Sequence, residues 1–186
     1  MTRRPASPYV VGSSAICVIV GLFLLVVAGS DGASAPTEPP VSVSGWRYEK
    51  GPSDLHIFHC EQATCGASSK VSYRVYASGN AMTLDQFRDI QKQAAGAMEQ
   101  RTPGLKVIIL GVDGDKGPAL PRLYKARHLM VAPRGAREYV ANGLMFGPRA
   151  SVSLISSSLD EKASNDNYSQ FALALMMFVQ KPTAPR

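Results

Sequence analysis

The sequence predicts an α+β domain, an antiparallel sheet with two amphipathic helices packed on it, preceded by one N-terminal transmembrane helix. Three patterns support this: an uncharged apolar run near the N-terminus, several short alternating segments separated by turn residues, and two longer segments with apolar side chains every three to four positions. Hydrophobic residues make up 45% of the chain and charged residues 18%. Such a composition is typical of a globular protein and excludes a disordered or fibrous one.

The N-terminal segment indicates where the protein resides. Arg3 and Arg4 precede a stretch without charged side chains, in which Val10 to Ala28 is almost entirely apolar. As a helix, this run is about 28 Å long, close to the hydrocarbon thickness of a bilayer. We expect a cytoplasmic N-terminus at residues 1–8, a signal anchor at 9–28 in the inner membrane, and export of the C-terminal side. Cleavage of the segment as a signal peptide, with release of the remainder into the periplasm, is the alternative.

The rest of the chain divides into a linker, one domain and a short tail. Residues 29–44 are rich in Gly, Ser, Pro and Ala without a hydrophobic period, which predicts a flexible linker. Residues 45–180 are long enough for a single core and form the expected exported domain. Residues 181–186 form the tail.

Within the domain, the patterns predict the element order βββ-α-ββββ-α. The first helix begins at Thr83, which with Gln86 fits a capping box, and it ends at Pro103-Gly104. The second helix runs from about Ser164 to Gln180. The predicted strands begin near Trp46, Leu55, Lys70, Leu105, Leu123, Arg137 and Ala150.

A family resemblance lies in this order of elements. The step from Val152–Ser158 through Asp160-Glu161 into a terminal amphipathic helix resembles the PsbP-like and DcrB-like small α/β domains. The resemblance covers residues 45–180 by topology, and no functional residue is carried over from it. It implies a fold of this kind and a non-catalytic accessory or binding role, because most members of the group are accessory or binding proteins; the fold alone does not fix the function.

Two cysteines lie outside the apolar run, which itself contains Cys17. Cys60 and Cys65 flank the loop between the second and third predicted strands. In an oxidising compartment, such a pair predicts a disulfide that closes the loop. A redox-active pair is the alternative, but the Cys-x-x-Cys spacing and the helix N-terminus that activate a thiol are both missing from the pattern.

Catalytic and metal-binding patterns are not found in the sequence. His56 and His59 point to opposite sides of a regular strand, and His128 lies in a later strand, so no spacing supplies the ligands of a zinc site. Asp113 and Asp115 lie in a Gly-containing turn without the rest of a calcium loop. We therefore predict no catalytic residue, no metal and no cofactor. An exported enzyme that acts on envelope material through one of the histidines remains an alternative.

Positive charge is concentrated between residues 121 and 150, where six basic residues accompany a single acidic residue, Glu138. We expect this segment to contact an anionic partner, either an envelope protein or an anionic membrane surface, and we expect no nucleic acid partner. Solvated strand residues, or a domain that binds a small ligand or lipid, are the alternatives; the oligomeric state is left open. The candidate residues are Arg122, Lys125, Arg127, Arg134, Arg137 and Arg149.

Overall fold

The computed structural model describes residues 38–79 and 82–180. Within these residues, seven strands form one antiparallel sheet in the order β1-β2-β3-β7-β6-β5-β4, with two helices packed on it, which confirms the predicted α+β class and element order. The elements are β1 (Trp46–Lys50), β2 (His56–Cys60), β3 (Lys70–Ala77), α1 (Leu84–Arg101), β4 (Lys106–Gly114), β5 (Arg122–Val131), β6 (Arg137–Phe146), β7 (Ala150–Ser158) and α2 (Glu161–Gln180).

The predicted signal anchor at 9–28 and the tail at 181–186 lie outside the described residues, as does most of the predicted linker. Within residues 38–79 and 82–180, no helix is long and apolar enough to cross a membrane.

The sheet joins two sets of strands that are separated in the sequence. Strands β4 to β7 follow one another as a meander, and β7 then pairs with β3 in the register Val75↔Val152. This pairing brings the three N-terminal strands beside the C-terminal four. Between β5 and β6, Gly135 adopts a φ of 84°, a left-handed conformation that glycine reaches without steric cost.

The two helices cover opposite faces of the sheet. Successive side chains of a strand point to opposite faces, so Tyr124 and Lys125 of β5 mark the two sides. The ring of Tyr124 packs 5.6 Å from that of Phe87 on α1. The Lys125 ammonium lies 4.7 Å from the centre of the Tyr168 ring on α2. The domain therefore has three layers, with α1 over β4 and β5 and α2 over β6 and β7.

The main core lies between the sheet and α2. Phe171 is its centre, with the ring of Trp46 5.2 Å away edge-on and the ring of Phe58 5.0 Å away. The α2 residues in this core recur at the three-to-four spacing seen in the sequence. The other fully buried side chains of this core are Phe58, Val71, Tyr73, Ala141, Met145, Val152, Leu154, Tyr168, Leu175 and Val179.

A smaller core lies under α1. The predicted capping box is present: Gln86 N–H donates to Thr83 Oγ1, and Thr83 N–H donates to Gln86 Oε1. Further along α1, the buried Gln91 accepts a 3.1 Å hydrogen bond from the side chain of Asn142 on β6. This bond satisfies the side-chain oxygen of Gln91 in the buried layer.

Some element limits differ from the sequence-based expectation. Strand β4 continues to Gly114, so Asp113 belongs to the strand and not to the turn. Val41, which falls in the predicted linker, is buried in the main core, and its N–H and C=O both bond the hydroxyl of Tyr73, at 3.0 and 2.7 Å. Side-chain burial therefore extends the packed domain a few residues before Trp46.

Candidate functional site

The disulfide loop between β2 and β3 contains the predicted bridge. Cys60 and Cys65 are joined, with their Cα atoms 6.0 Å apart, around a single 3₁₀ turn at Ala63–Cys65. The loop is docked on α2, because the Asn167 amide donates a buried 2.8 Å hydrogen bond to the Cys65 carbonyl. Gly66, at a φ of 82°, leaves no room for a Cβ beside Ala163 of the same helix. These contacts with α2 indicate that the disulfide has a structural role.

His56 and His59 lie on opposite faces of β2, as the alternation predicts. His56 is buried, its Nδ1 lies 3.1 Å from the Tyr48 hydroxyl, and burial lowers its pKa. His59 lies on the other face, with Nε2 2.9 Å from Glu49 Oε2. Among residues 38–79 and 82–180, neither histidine has both a carboxylate and a hydroxyl within hydrogen-bond distance, the arrangement that a histidine-based hydrolase needs.

His128 lies on the α1 face of β5, far along the sheet from the other two histidines. Burial lowers the pKa of His128 to about 4, so its imidazole is neutral near pH 7. In the part of the chain that the structure describes, no three His, Cys, Asp or Glu side chains are grouped so that they could hold a metal ion.

The predicted basic residues do not form one surface. Lys125 and Arg127 lie side by side on the α2 face, and both make contacts with α2. Lys125 is stacked on Tyr168, and its pKa is lowered by burial and, to a lesser degree, by the charge of Arg127. The Arg127 guanidinium lies 3.4 Å from the carboxylate of Glu161. This pair therefore stabilises the position of α2.

The other four residues of the predicted set are dispersed. Arg134 and Arg137 lie exposed at the turn from β5 to β6. Arg149 lies at the opposite end of β6, in the turn to β7, with its guanidinium 4.9 Å from the centre of the Phe178 ring. Arg122 points to the α1 face. Binding of an anionic partner by these residues remains a prediction.

A cleft lies where Arg122 meets the start of α1. It has a volume of about 450 Å³ and separates the first turn of α1 from the loop between β4 and β5. Its cationic side chains are Arg88, Lys116 and Arg122, and its carboxylates are Asp85 and Asp115. Sequence analysis identified Arg122 but not its neighbours, because their proximity depends on how α1 docks on the sheet. The lining residues are Thr83, Leu84, Asp85, Arg88, Asp115, Lys116, Gly117, Pro118, Arg122 and Tyr124.

The outer face of α2 changes character along the helix. Near its N-terminus, the exposed side chains are charged, with Lys162 paired to Asp166. Near its C-terminus, Leu173 is 68% exposed and Met177 is 62% exposed. These two residues are one turn apart and therefore form one continuous apolar surface.

Comparison with known proteins shows the fold. No family model and no curated protein matches the chain. The solution structure of cyanobacterial PsbP (CyanoP) from Synechocystis sp. PCC 6803 is similar over 70% of this chain and 81% of its own length, with a TM-score of 0.53 and 8% identity. The Ran-binding protein Mog1p of Saccharomyces cerevisiae aligns over 74% of this chain and 83% of its own, with a TM-score of 0.43 and 10% identity.

The likeness to cyanobacterial PsbP confirms, at the level of the fold, the PsbP-like resemblance that the order of elements indicates. At 8% identity it carries over no residue and no activity. The function has to be argued from the surfaces of this chain.

Proposed function

We propose that this protein is a non-catalytic accessory domain, anchored in the inner membrane by its N-terminal segment, whose exported part binds a protein partner in an envelope assembly. The observation that carries the proposal is the exposed apolar surface of Leu173 and Met177 on α2. An accessory protein needs such a contact surface, and a contact between proteins needs no catalytic group.

The α2 surface is unusual for a helix on a globular domain. Such a helix normally has one apolar stripe that faces the core, with polar residues opposite. In α2 the inward stripe is already complete, since Phe171, Leu175 and Val179 are fully buried. Leu173 and Met177 are therefore additional apolar side chains on the solvent side. Neighbouring exposed apolar residues mark interaction sites more often than isolated ones do.

The surroundings of the pair favour a protein over a lipid surface. Helices that bind in the plane of a membrane are rich in Lys and Arg beside their apolar face. The exposed α2 residues next to Leu173 and Met177 are instead neutral: Ser169, Gln170 and Gln180. An apolar centre with a neutral polar rim is the anatomy of a protein–protein contact.

The location is proposed from the sequence and the disulfide. The apolar run at 10–28 is long enough to span a bilayer, and Arg3 and Arg4 favour retention of the N-terminus in the cytoplasm. A closed bridge between Cys60 and Cys65 suits an oxidising compartment. Both features support export of the domain.

The test compares two doubly substituted full-length proteins in native membranes after chemical crosslinking. Leu173→Glu with Met177→Glu places two charges in the proposed contact. Gln93→Glu with Gln100→Glu adds the same charge to exposed positions of α1, on the other side of the sheet. We expect a discrete crosslinked protein with the natural chain and with the α1 variant, and its loss with the α2 variant. An equal yield from both variants, or no adduct from the natural chain, would overturn the proposal.

A further inference from the structure

We infer that the cleft between α1 and the β4–β5 loop binds a small ligand that bears a phosphate group, held by Arg122 and Lys116. This site lies on the α1 side of the sheet, so the inference does not depend on the partner surface proposed for α2. It assigns a second, separate binding property to the domain.

The cleft is large enough to hold a small molecule. Its volume of about 450 Å³ lies within the range of roughly 300–1,000 Å³ found for small-molecule sites. The start of α1 forms one wall, the loop from Asp115 to Pro118 forms the other, and the fully buried Tyr124 closes the base. Leu84 and Pro118 add apolar surface to the walls, which leaves room for an organic group beside the phosphate.

Charges in the cleft favour an anion. Its two carboxylates are already engaged: Asp85 accepts a 2.7 Å hydrogen bond from Arg88, and Asp115 accepts one of 2.8 Å from the Leu123 N–H. Lys116 and Arg122, by contrast, have no carboxylate within 4.0 Å among residues 38–79 and 82–180. The hydrogen bond from the Leu123 N–H leaves the charge of Asp115 in place, so three cations and two carboxylates give the cleft one net positive charge.

Arg122 is held in place and incompletely bonded. Its Nη1 donates a 3.4 Å hydrogen bond to the Tyr124 hydroxyl, and that hydroxyl donates one of 2.7 Å to the Met82 carbonyl. The Nε of Arg122 is buried without a hydrogen-bond partner in the described part of the chain. The buried Nε is out of reach of solvent, so an oxyanion in the cleft would be bound by the donors of the two terminal nitrogens of the guanidinium.

Phosphate matches this pair of cations best. A guanidinium presents a planar fork of donors that fits two phosphate oxygens, and a nearby ammonium supplies a second charge. The side chains of Thr83 and Gln86 already bond the backbone N–H groups at the start of α1. Recognition of the phosphate is therefore assigned to the side chains of Lys116 and Arg122. The ligand's source is either a soluble phosphate ester or the headgroup of an anionic lipid, which offer the same group.

The experiment measures binding to the full-length protein in nanodiscs of neutral lipid. The probes are inorganic phosphate, glycerol 3-phosphate, and vesicles of phosphatidylglycerol with phosphatidylcholine vesicles as reference. We expect saturable binding of glycerol 3-phosphate or of phosphatidylglycerol vesicles, weakening with added salt. Arg122→Gln should weaken that binding about 10- to 100-fold, the loss expected for one charge-assisted hydrogen-bonding group. Which probe responds identifies the source.

Two further variants keep the result interpretable. Arg134→Gln removes the same charge at an exposed turn far from the cleft and should leave binding unchanged. Lys116→Gln changes an exposed loop residue of the cleft without touching the core, and should weaken binding even if Arg122→Gln lowers the melting temperature. The inference is overturned if no probe binds saturably, or if Arg134→Gln weakens binding as much as Arg122→Gln and Lys116→Gln do.

Discussion

The side-chain amide of Asn167 on α2 donates a 2.8 Å hydrogen bond to the carbonyl oxygen of Cys65, across a separation of 102 residues in the chain. The bond is buried, and it connects the disulfide loop to the helix that carries the proposed partner surface. The loop's Ser69 makes a second buried link, a 2.9 Å hydrogen bond to Ser158 at the end of β7. The disulfide loop therefore helps to hold α2 against the sheet.

Removal of the disulfide should destabilise the domain moderately. The Cys60–Cys65 bridge spans a sequence separation of only 5, so Cys60→Ser with Cys65→Ser should cost about 2 kcal/mol by the loop-entropy relation. Urea unfolding of the natural protein, with and without reductant, measures the free energy of unfolding that is lost with the bridge. Reductant should not affect the double serine variant, and an unchanged midpoint for the natural protein in reductant would contradict the structural role.

Loss of the Asn167 amide should cost a similar amount and should be coupled to the bridge. Asn167→Ala leaves the buried Cys65 carbonyl without its donor, for which about 1–3 kcal/mol is expected. In the double serine background the same substitution should cost less, by about 1 kcal/mol, because a freed loop can expose the carbonyl to water. Strict additivity of the two losses in a double-mutant cycle would show that the loop and α2 are independent.

Tyr168→Phe should stabilise the domain. The Tyr168 hydroxyl is buried over Gly143 of β6 and has no hydrogen-bond partner among the described residues. Removing it eliminates an unsatisfied polar group, worth about 1 kcal/mol, and retains the ring that Lys125 stacks on. Thermal unfolding should show a higher midpoint.

Gly143→Ala tests the same contact from the side of β6, because the added Cβ would overlap both the Tyr168 hydroxyl and the Tyr124 carbonyl. It should destabilise the domain by about 1–3 kcal/mol, as overpacking does, and Tyr168→Phe should recover only part of that loss. A lower midpoint for Tyr168→Phe alone would mean that the hydroxyl has a partner that the structure does not describe.

Stability should decline in mildly acidic solution because of His128. Burial lowers its pKa from 6.5 to about 4. As the pH falls, the unfolded chain takes up the proton first, so the stability is complete above about pH 6.5 and is lost towards pH 4. The loss from this residue is on the order of 3 kcal/mol.

His128→Leu should therefore flatten the dependence of unfolding free energy on pH between 6.5 and 4. Some slope should remain, because burial also lowers the pKa of His56. Burial raises the pKa of the Glu138 carboxyl, so this group makes the domain more stable as the pH falls. Its contribution is the same in both proteins and therefore cancels when their pH profiles are compared. Identical pH profiles for the two proteins would refute a buried neutral His128.

Local patterns predicted much of the fold. The Thr83–Gln86 capping box is a short-range feature, and it is found as expected. The pairing of β3 with β7 and the division of the helices between two faces depend on contacts between distant segments, which no local pattern encodes. Burial of Val41 was missed for the same reason, since its partner Tyr73 is 32 residues away.

The candidate surfaces were harder to predict than the fold. The six basic residues between positions 121 and 150 are close in the sequence, but the strands and turns separate them in the fold. Lys125 and Arg127 contact α2, whereas Arg122 faces the cleft on the other side of the sheet. The α2 surface did leave a signal in the sequence. Leu173 and Met177 lie outside the inward stripe of Phe171, Leu175 and Val179, so this half of the helix is apolar on all sides.

The central claim, that α2 carries the partner surface, is tested most directly by photo-crosslinking in intact cells. A photoreactive residue is placed at Met177 or, as the control, at Gln93 on the exposed face of α1, in otherwise natural full-length protein. We predict a discrete adduct with a second, different protein from position 177 and none from position 93. Adducts of equal yield from both positions, an adduct from 177 only with another copy of this chain, or no protein adduct from 177 would contradict the account.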